Sequence, residues 1–348
     1  MLSFIFGTRP EAIKIRPVIL ECVKRKIAFQ VICTGQHTDL LEGTGVRPSL
    51  NLHEASRNDP TEYVERVIKR LKAQDTVRWG AILVQGDTAS ALAGARFGYE
   101  SGITVGHIEA GLRSHDLNDP FPEEGFRTQI DRLSTYHFCP TEGNLLNLYL
   151  EGFGLGSEKR WVTGNTIVDA LRLMKVERDR KDFLLVTLHR RESFGEPLRM
   201  ILRGLKTFAT KNPYKAVLFP VHPNPEVGKA LEDVPMPLNV LLQHPVGYRD
   251  FVTTLGMAGA ILTDSGGVVE EAVTLGVPLV CVRNVTERPE AFPPGSLMMP
   301  SECEERLCGA LETALETNPE PSSVFGDGFA SARILDQLSR NGRITVSK

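Results

Sequence analysis

The sequence lacks several features that would narrow its class at once. Its 348 residues contain no apolar run that approaches the roughly 20 residues needed to span a bilayer. The net charge of −3 provides no basic field, which argues against a nucleic-acid partner or a membrane-surface protein. The six cysteines form no CxxC pair, and they are expected to be reduced, mostly buried thiols of a cytoplasmic protein.

Several motifs of metal and cofactor sites are also missing. The eight histidines are scattered and include no HExxH pattern, so no metal site is predicted. No GxGxxG follows a strand, and neither the GxxxxGK[ST] phosphate loop nor GxSxG occurs. We therefore expect an enzyme without a bound nicotinamide, metal or other cofactor.

Short apolar runs alternate with amphipathic stretches along the whole chain. This alternation indicates parallel sheets that are covered by helices on both faces. The length suits two such α/β domains, Rossmann-like and doubly wound, with their strand ends facing one cleft. The predicted strands are 2–6, 30–33, 81–84, 104–108, 136–139, 183–187, 216–219, 239–242, 260–263 and 279–282. A helix is predicted over 61–74, with Asp59 as its cap and Pro60 in its first turn.

The strand series begins twice, at LSFIFGTRPEAIK and at FLLVTLHRRESFG. MLSFIFG is too short for a signal peptide and is expected to be the first strand. The charged stretch 174–182 suits a linker or an exposed turn. We expect a first domain over 1–165 and a second over 166–328. The final amphipathic segment, about 329–341, is expected to pack on either domain and is free to return to the first.

Residues 107–124, HIEAGLRSHDLNDPFPEE, collect acids after a buried strand. Glu109 follows the strand directly, and Glu123 and Glu124 open the next helix. Such clustering costs repulsion and desolvation, so it usually serves chemistry or a cationic partner. We expect proton-transfer chemistry on a nucleotide-linked sugar. The alternatives are an ion pair of Glu109 with Arg113 or His107, and a simple preference of the other two acids for a helix N-terminus.

Two further loops of the first half are candidates. Asp87, in LVQGDTAS, is either another acid of the site or the cap of a helix. In GTRPEAIK, Arg9 and Lys14 would lie near a helix N-terminus that favours phosphate, with a turn carrying solvated charges as the alternative.

The second half offers cationic loops after its strands. His189 and Arg190 invite a phosphate, although a surface charge cluster explains them equally well. His222, between prolines, is either a rigid pocket wall or a core histidine.

A glycine-rich turn, Asp264-Ser265-Gly266-Gly267, leads into a helix and forms an anion cradle, unless it is plain strand-to-helix geometry. Glu271 is placed to accept hydrogen bonds from a ribose, and Arg288 adds a cation at the same edge.

Nine blocks in order, GTRPEAIK, QGDT, GHIEAGLR, PFPEE, VTGNT, HRRESFG, PVHPNP, DSGGVVEEA and TERPEA, resemble those of non-hydrolysing UDP-N-acetylglucosamine 2-epimerases. The likeness covers nearly the whole chain. It implies the GT-B fold, a UDP-sugar partner, a cytoplasmic homodimer, and elimination of UDP to 2-acetamidoglucal followed by re-addition. The matching positions imply that the catalytic residues are Asp87, Glu109, Glu123 and His189. Those implied to bind UDP are Arg9, Lys14, Ser265, Gly266, Gly267, Glu271 and Arg288.

The chain departs from the family pattern at a few positions. Leu188 replaces a glycine and is expected to narrow the floor near the diphosphate, and Phe126 replaces an asparagine. Gln36 matches one of two glutamines that bind an activating second UDP-GlcNAc, but Asp39 stands at the other. The candidates for this second site or for the pocket are Gln36, Arg190 and His222. These differences leave open the allosteric activation and the choice between UDP-GlcNAc and UDP-glucose. A hydrolysing epimerase and a GT-B glycosyltransferase are the remaining alternatives.

Overall fold

The computed structural model describes residues 1–36, 44–55, 59–74, 79–153, 156, 159–292, 296–300 and 304–344. The chain divides into two compact units: unit 1 is Met1–Leu173 with Phe325–Lys348, and unit 2 is Met174–Val324. The division lies at 173/174, whereas the sequence suggested 165/166. The intervening helix stays with unit 1 because Asp169 accepts hydrogen bonds from the amides of Ala330 (3.0 Å) and Ser331 (2.9 Å).

Unit 1 contains a parallel sheet of seven strands in the order β3-β2-β1-β4-β5-β6-β7. The strands are β1 Leu2–Phe6, β2 Phe29–Cys33, β3 Leu50–Asn51, β4 Ala81–Gln85, β5 Thr104–Ile108, β6 Tyr136–Cys139 and β7 Lys159–Val162. Strand order reverses between β1 and β4, and the loops that follow these two strands diverge there. In open α/β sheets this reversal is where ligands bind.

Unit 2 contains a parallel sheet of six strands in the order β10-β9-β8-β11-β12-β13. The strands are β8 Phe183–Thr187, β9 Ala216–Pro220, β10 Val240–Gln243, β11 Ala260–Thr263, β12 Leu279–Val282 and β13 Ser296–Met299. The reversal lies between β8 and β11. The two sheets confirm the predicted pair of Rossmann-like α/β domains, and the predicted double start corresponds to the central strands β1 and β8.

Helices connect the strands in both units. Those of unit 1 are α1 Arg9–Lys24, α2 Pro60–Lys72, α3 Ala89–Glu100, α4 Glu123–Leu133, α5 Glu142–Leu150, α6 Thr166–Met174 and α12 Ala330–Arg340. Those of unit 2 are α7 Glu196–Lys211, α8 Pro225–Asp233, α9 Tyr248–Met257, α10 Gly266–Leu275 and α11 Glu304–Glu316. The predicted start of α2 is confirmed, since the Asp59 carboxylate accepts from the amide of Thr61 at 2.7 Å and Pro60 occupies the first turn.

The C-terminal helix α12 belongs to the core of unit 1. Its buried Ile334, Leu335 and Leu338 join the cluster that contains Phe4 and Phe6 of β1. The stretch 174–182 is also held in place, in unit 2, where Arg178 donates to the carbonyl oxygens at the end of α9 and in the residue that follows it. It is therefore an anchored segment of unit 2.

No helix in the described part of the chain is long and apolar enough to cross a membrane. Five of the cysteines are buried and carry no disulfide: Cys22, Cys33, Cys139, Cys281 and Cys308. Burial raises the pKa of Cys22 and of Cys281 to about 12, so these two thiols stay protonated at neutral pH.

Candidate active site

The first cluster of candidate residues lies at the carboxyl ends of β1, β4 and β5 in unit 1. Glu109 is one of its buried acids, with 7% of the residue exposed, and it adopts a positive φ of 73° immediately after β5. Its carboxylate binds the Lys14 ammonium at 2.7 and 2.9 Å and also accepts from the Gln85 side chain. The Asn165 amide lies 3.5 Å from Oε1. An ion pair with this support fixes the orientation of the carboxylate.

This geometry corrects the structural alternative for Glu109. We expected Arg113 or His107 as its partner, but Arg113 binds Asp131 and Glu151, and His107 also binds Asp131. Lys14, which the resemblance assigned to UDP, lies one turn and a half into α1 with 7% of the residue exposed and reaches Glu109.

Asp87 lies in the loop after β4 and is bound by Arg127 of α4, with Nε 3.1 Å from its Oδ2. The cap of α3 is Thr88, whose hydroxyl accepts from the Ala91 amide, so the alternative of a capping role for Asp87 is wrong by one residue. Arg127 also binds Glu124 at 2.9 Å, and both side chains are almost fully buried. The loop after β4 is therefore tied to α4.

The neighbouring acids Glu123 and Glu124 differ in environment. Glu124 is buried and accepts hydrogen bonds from the amides of Ser114 (3.0 Å) and His115 (3.1 Å), so it holds the loop that precedes α4. Glu123 begins α4 and is half-buried. The prediction that both acids open a helix is confirmed. Of the two, Glu123 is the more accessible to a ligand.

Glu11 is fully buried in the first turn of α1. Its carboxyl group accepts from the Gly7 amide (3.1 Å), the Thr8 amide (2.8 Å), the Thr8 hydroxyl and the Thr88 hydroxyl (2.8 Å). Burial raises its pKa to about 7, and these hydrogen bonds oppose the rise only in part. Glu11 thus joins the loops after β1 and β4. Arg9 opens the same helix, half-buried, and has no ion-pair partner among the described residues.

A hydrogen-bonded group of side chains surrounds Gly7. The Ser90 hydroxyl donates to Gln36 Oε1 at 2.6 Å and lies 2.8 Å from the Thr34 hydroxyl. A Cβ at Gly7 would lie 2.0 Å from Ser90 Oγ, so only glycine fits there. Gln36 therefore borders the same loops as Arg9 and Asp87. The comparison with a second glutamine falls on Asp39, which lies outside the described residues.

The second cluster lies in unit 2, at the carboxyl ends of β8, β9 and β11. The Asp264 carboxylate is fully buried and accepts from the amides of His189 (3.0 Å) and Arg190 (2.9 Å), which joins the loops on the two sides of the strand reversal. The His189 ring stacks on the exposed His222 ring, with centroids 5.4 Å apart, so the idea that His222 is a core histidine is wrong. Burial lowers the pKa of His189, and the Arg190 charge lowers it further while Asp264 opposes both.

Ser265 is the N-terminal cap of α10, and its side chain makes no capping hydrogen bond. The amides of Gly266 and Gly267 lie in the first helical turn, where the helix provides no acceptor for them. This arrangement can bind an anion. Glu271 lies on the same helix, is buried and accepts from the Tyr248 hydroxyl at 2.5 Å.

Arg288 is buried and ion-paired. Its Nε donates to Glu270, and its Nη1 lies 3.3 Å from Glu287 Oε2. Its guanidinium lies against Gly266, where an added Cβ would be 2.6 Å from Nη1. Arg288 therefore packs against the first turn of α10, and two carboxylates balance much of its charge.

The two substituted positions both face cores. Leu188 has 1% of the residue exposed and belongs to the hydrophobic core of unit 2, so the expectation that its side chain narrows the diphosphate floor is wrong. Phe126 packs against the core cluster of unit 1 that includes Ile130. Among the described residues, no cluster of His, Cys, Asp or Glu side chains could hold a metal ion.

Sequence reasoning missed three side chains that hold the acids: Gln85, Arg127 and Asn165. Gln85 and Asn165 lie inside the quoted blocks QGDT and VTGNT, and Arg127 comes three residues after PFPEE. The blocks marked the right segments. They gave no sign of which acid each residue contacts.

The fold and the two loop clusters define an α/β enzyme of the GT-B class, with acids at the sheet edge of one unit and cationic, glycine-rich loops at that of the other. Comparison with known proteins gives the family. The profile described as UDP-N-acetylglucosamine 2-epimerase matches residues 21–339. The Yersinia pestis UDP-N-acetylglucosamine 2-epimerase is 36% identical, and the match covers 98% of this chain and 99% of that protein.

Solved structures agree. The Neisseria meningitidis UDP-GlcNAc 2-epimerase bound to UDP-GlcNAc is 34% identical, with a TM-score of 0.88 over 98% of this chain and 100% of that one. The Methanocaldococcus jannaschii enzyme in complex with UDP-GlcNAc and UDP is 34% identical, with a TM-score of 0.85 over 97% and 99%. The chain belongs to the UDP-N-acetylglucosamine 2-epimerase family and is an isomerase. The resemblance noted from the nine blocks is confirmed.

Proposed function

We propose that this protein interconverts UDP-GlcNAc and UDP-ManNAc without hydrolysis. A carboxylate removes the proton at C2 while the C1–O bond breaks and UDP leaves with the bonding electrons. The 2-acetamidoglucal that remains is protonated at C2 on its other face, and UDP adds back to C1. The observation that carries this proposal is the grouping of Asp87, Glu109 and Glu123 around the ends of β4 and β5 and the start of α4.

Inversion at C2 explains why more than one acid is needed. The proton leaves one face of the sugar and a proton returns to the opposite face, so a single fixed carboxyl group cannot do both. Glu109, oriented by its ion pair with Lys14, suits the role of base. Asp87, oriented by Arg127, and the more accessible Glu123 are the candidates for the opposite face.

The loops of unit 2 suit the diphosphate. We propose that the first turn of α10, with Ser265, Gly266 and Gly267, binds phosphate oxygens and that Glu271 accepts from the ribose. His189 stands beside this turn, since its amide is bound to Asp264. In unit 1, Arg9, which forms no ion pair within the described part of the chain, adds a cation at a helix N-terminus.

Deuterium oxide provides the decisive experiment. Purified protein incubated with UDP-GlcNAc should place deuterium at C2 and yield UDP-ManNAc, as followed by NMR. Absence of C2 exchange at any enzyme concentration would refute the proposed function. UDP-glucose should be run in parallel, because exchange at its C2 would show that the N-acetyl group is not required.

Variants test the separate roles. Glu109→Gln and Asp87→Asn should abolish exchange and keep UDP binding, because each removes proton-transfer capacity and leaves the cationic loops intact. Arg9→Ala should keep C2 exchange and weaken UDP binding. If the acid variants lost UDP and the arginine variant did not, the assigned roles would be inverted.

Product analysis separates the alternatives. A hydrolysing relative would accumulate free ManNAc and UDP, because water would trap the glycal. A GT-B glycosyltransferase would transfer the sugar to an acceptor without exchange at C2. A homodimer and a cytoplasmic location remain proposals, and light scattering of the purified protein tests the first.

A further inference from the structure

A buried charged cluster lies behind the acids of unit 1 and takes no direct part in the proposed chemistry. Asp131 of α4 is fully buried and accepts from His107 Nδ1 (2.6 Å), the Arg113 guanidinium (2.8 Å) and the Gly111 amide (3.2 Å). Arg113 continues the cluster to Glu151 at the end of α5. Burial alone would raise the pKa of Asp131, but the charges of His107 and Arg113 outweigh it and hold that pKa far below its usual range.

His107 bridges this cluster to the loop that carries Asp87. Its ring is fully buried in β5, with Nδ1 at the Asp131 carboxylate and Nε2 2.8 Å from the carbonyl oxygen of Gly86. A carboxylate and a carbonyl oxygen only accept hydrogen bonds, so both ring nitrogens must donate. His107 therefore joins the Asp131 carboxylate to the Gly86 carbonyl, with a donor at each ring nitrogen.

We call the hydrogen bond from His107 Nε2 to the Gly86 carbonyl the tether. It holds a residue that adjoins both Asp87 and Glu109. Gly86 has a φ of 69° and directly precedes Asp87. An added Cβ at Gly86 would lie 3.8 Å from Glu109 Oε2, so this residue also borders the Glu109 carboxylate. The Gly86 amide donates to the Ile108 carbonyl at 3.0 Å, and the Gly86 carbonyl accepts from His107.

We infer that His107 is a positioning residue for both acids: its doubly protonated ring ties the Gly86–Asp87 peptide to Asp131 and thereby sets the placement of Asp87 relative to Glu109. This inference rests on the proposed function. It adds a residue that touches no substrate but fixes the geometry of those that do. A displacement of about 1 Å in such groups can reduce turnover by about 100-fold.

The chain offers a matched control in His137. It is paired in register with His107 on the neighbouring strand β6 and is equally buried. Its Nε2 donates to the backbone carbonyl of Asp131 at 2.8 Å. Burial lowers its pKa, although Asp131 opposes this, so the ring is neutral at pH 7. This hydrogen bond of His137 goes to Asp131, and no hydrogen bond among the described residues joins His137 to the loop of Asp87.

Two substitutions separate the bonds of His107. In His107→Asn the amide nitrogen replaces Nδ1, which keeps the contact with Asp131 and loses the tether to Gly86. In His107→Gln the amide nitrogen replaces Nε2 and keeps the tether. The readouts are kcat for C2 deuterium exchange, the Kd for UDP, and the melting temperature of each variant.

We expect His107→Asn to lose about 100-fold in kcat with UDP binding within about threefold of wild type. His107→Gln should stay within about fivefold of wild type in kcat, as should His137→Gln, although both lower the melting temperature. Equal kcat in the Asn and Gln variants, or a kcat that follows the melting temperature across all three, would overturn the inference. A wild-type protein without exchange would instead refute the proposed function.

A measurement on the wild-type protein covers the case in which a variant fails to fold. In protein labelled with ¹⁵N at histidine, both ring nitrogens of His107 should carry protons at pH 7, and only one of His137. The ring resonances can be assigned in the wild-type protein itself, from through-space contacts with neighbouring residues. A single protonated nitrogen in His107 would overturn the inference whatever the variants show.

Discussion

Replacing Glu11 with glutamine should remove a pH dependence that the native carboxyl group imposes on the stability of unit 1. The folded protein raises the pKa of Glu11 from 4.5 to about 7, chiefly by burial. The folded chain therefore binds this proton more tightly than the unfolded chain does. The corresponding stability is fully present below pH 4.5 and is lost as the pH rises to about 7.

The size of the effect follows from the two pKa values. A rise from 4.5 to about 7 corresponds to a free energy of unfolding on the order of 3 kcal/mol. Most of this contribution to the free energy of unfolding, about 2–3 kcal/mol, is lost as the pH rises from 5 to 8. Glutamine is neutral throughout this range and keeps an acceptor oxygen for the amides of Gly7 and Thr8, so the variant should lack this component.

The two tryptophans make the assay specific to this unit, since Trp79 and Trp161 both belong to unit 1. Urea unfolding followed by tryptophan fluorescence at several pH values should show wild type losing stability relative to Glu11→Gln as the pH rises. Glu62→Gln is the control, because that side chain is 71% exposed on α2 and its replacement should keep the wild-type pH dependence. A constant difference between wild type and Glu11→Gln from pH 5 to pH 8 would refute the reasoning.

Four other perturbations test the site. Arg127→Ala leaves the buried Glu124 carboxylate without its cation and releases Asp87. It should cost about 3 kcal/mol or more in urea unfolding and slow C2 exchange, and an unchanged unfolding midpoint would contradict the ion pair described here. Gly7→Ala places a Cβ 2.0 Å from Ser90 Oγ and should destabilise by about 1–3 kcal/mol. Gly125→Ala, inside α4 with nothing within 4 Å, should be neutral or stabilising in the same melting experiment. Arg9→Ala should weaken UDP binding by about 1–3 kcal/mol in calorimetry with no loss of melting temperature. Arg288→Ala should lower the melting temperature, because it takes a cation from the buried carboxylate of Glu270 and leaves that of Glu287 with Arg283 alone; a stable variant would show that these contacts contribute little.

The fold was accessible from the sequence because buried parallel strands are continuous apolar runs. All ten predicted strands are present, with ends that shift by at most one residue. The three that were missed are β3, β7 and β13, each at the edge of a sheet. An edge strand has one neighbour and need not be apolar, as the sequence KRWV of β7 illustrates.

The partners of the acids were not accessible, because proximity in the fold does not follow proximity in sequence. Glu109 pairs with Lys14, 95 residues away. The nearer cations that we considered, Arg113 and His107, are bound by Asp131, whose importance no local pattern indicates. The same holds for Leu188, since only packing shows that its side chain turns into the core.

The return of α12 to unit 1 has a consequence for biosynthesis. Unit 2 is one continuous stretch and can complete its core without any later residue of the chain. Unit 1 must wait, because Ile334, Leu335 and Leu338 fill a surface of its core that is formed by the earliest residues of the chain. The half of the protein that is synthesised first is therefore the half that finishes folding last, and a nascent chain stalled before residue 330 would present that apolar surface to chaperones.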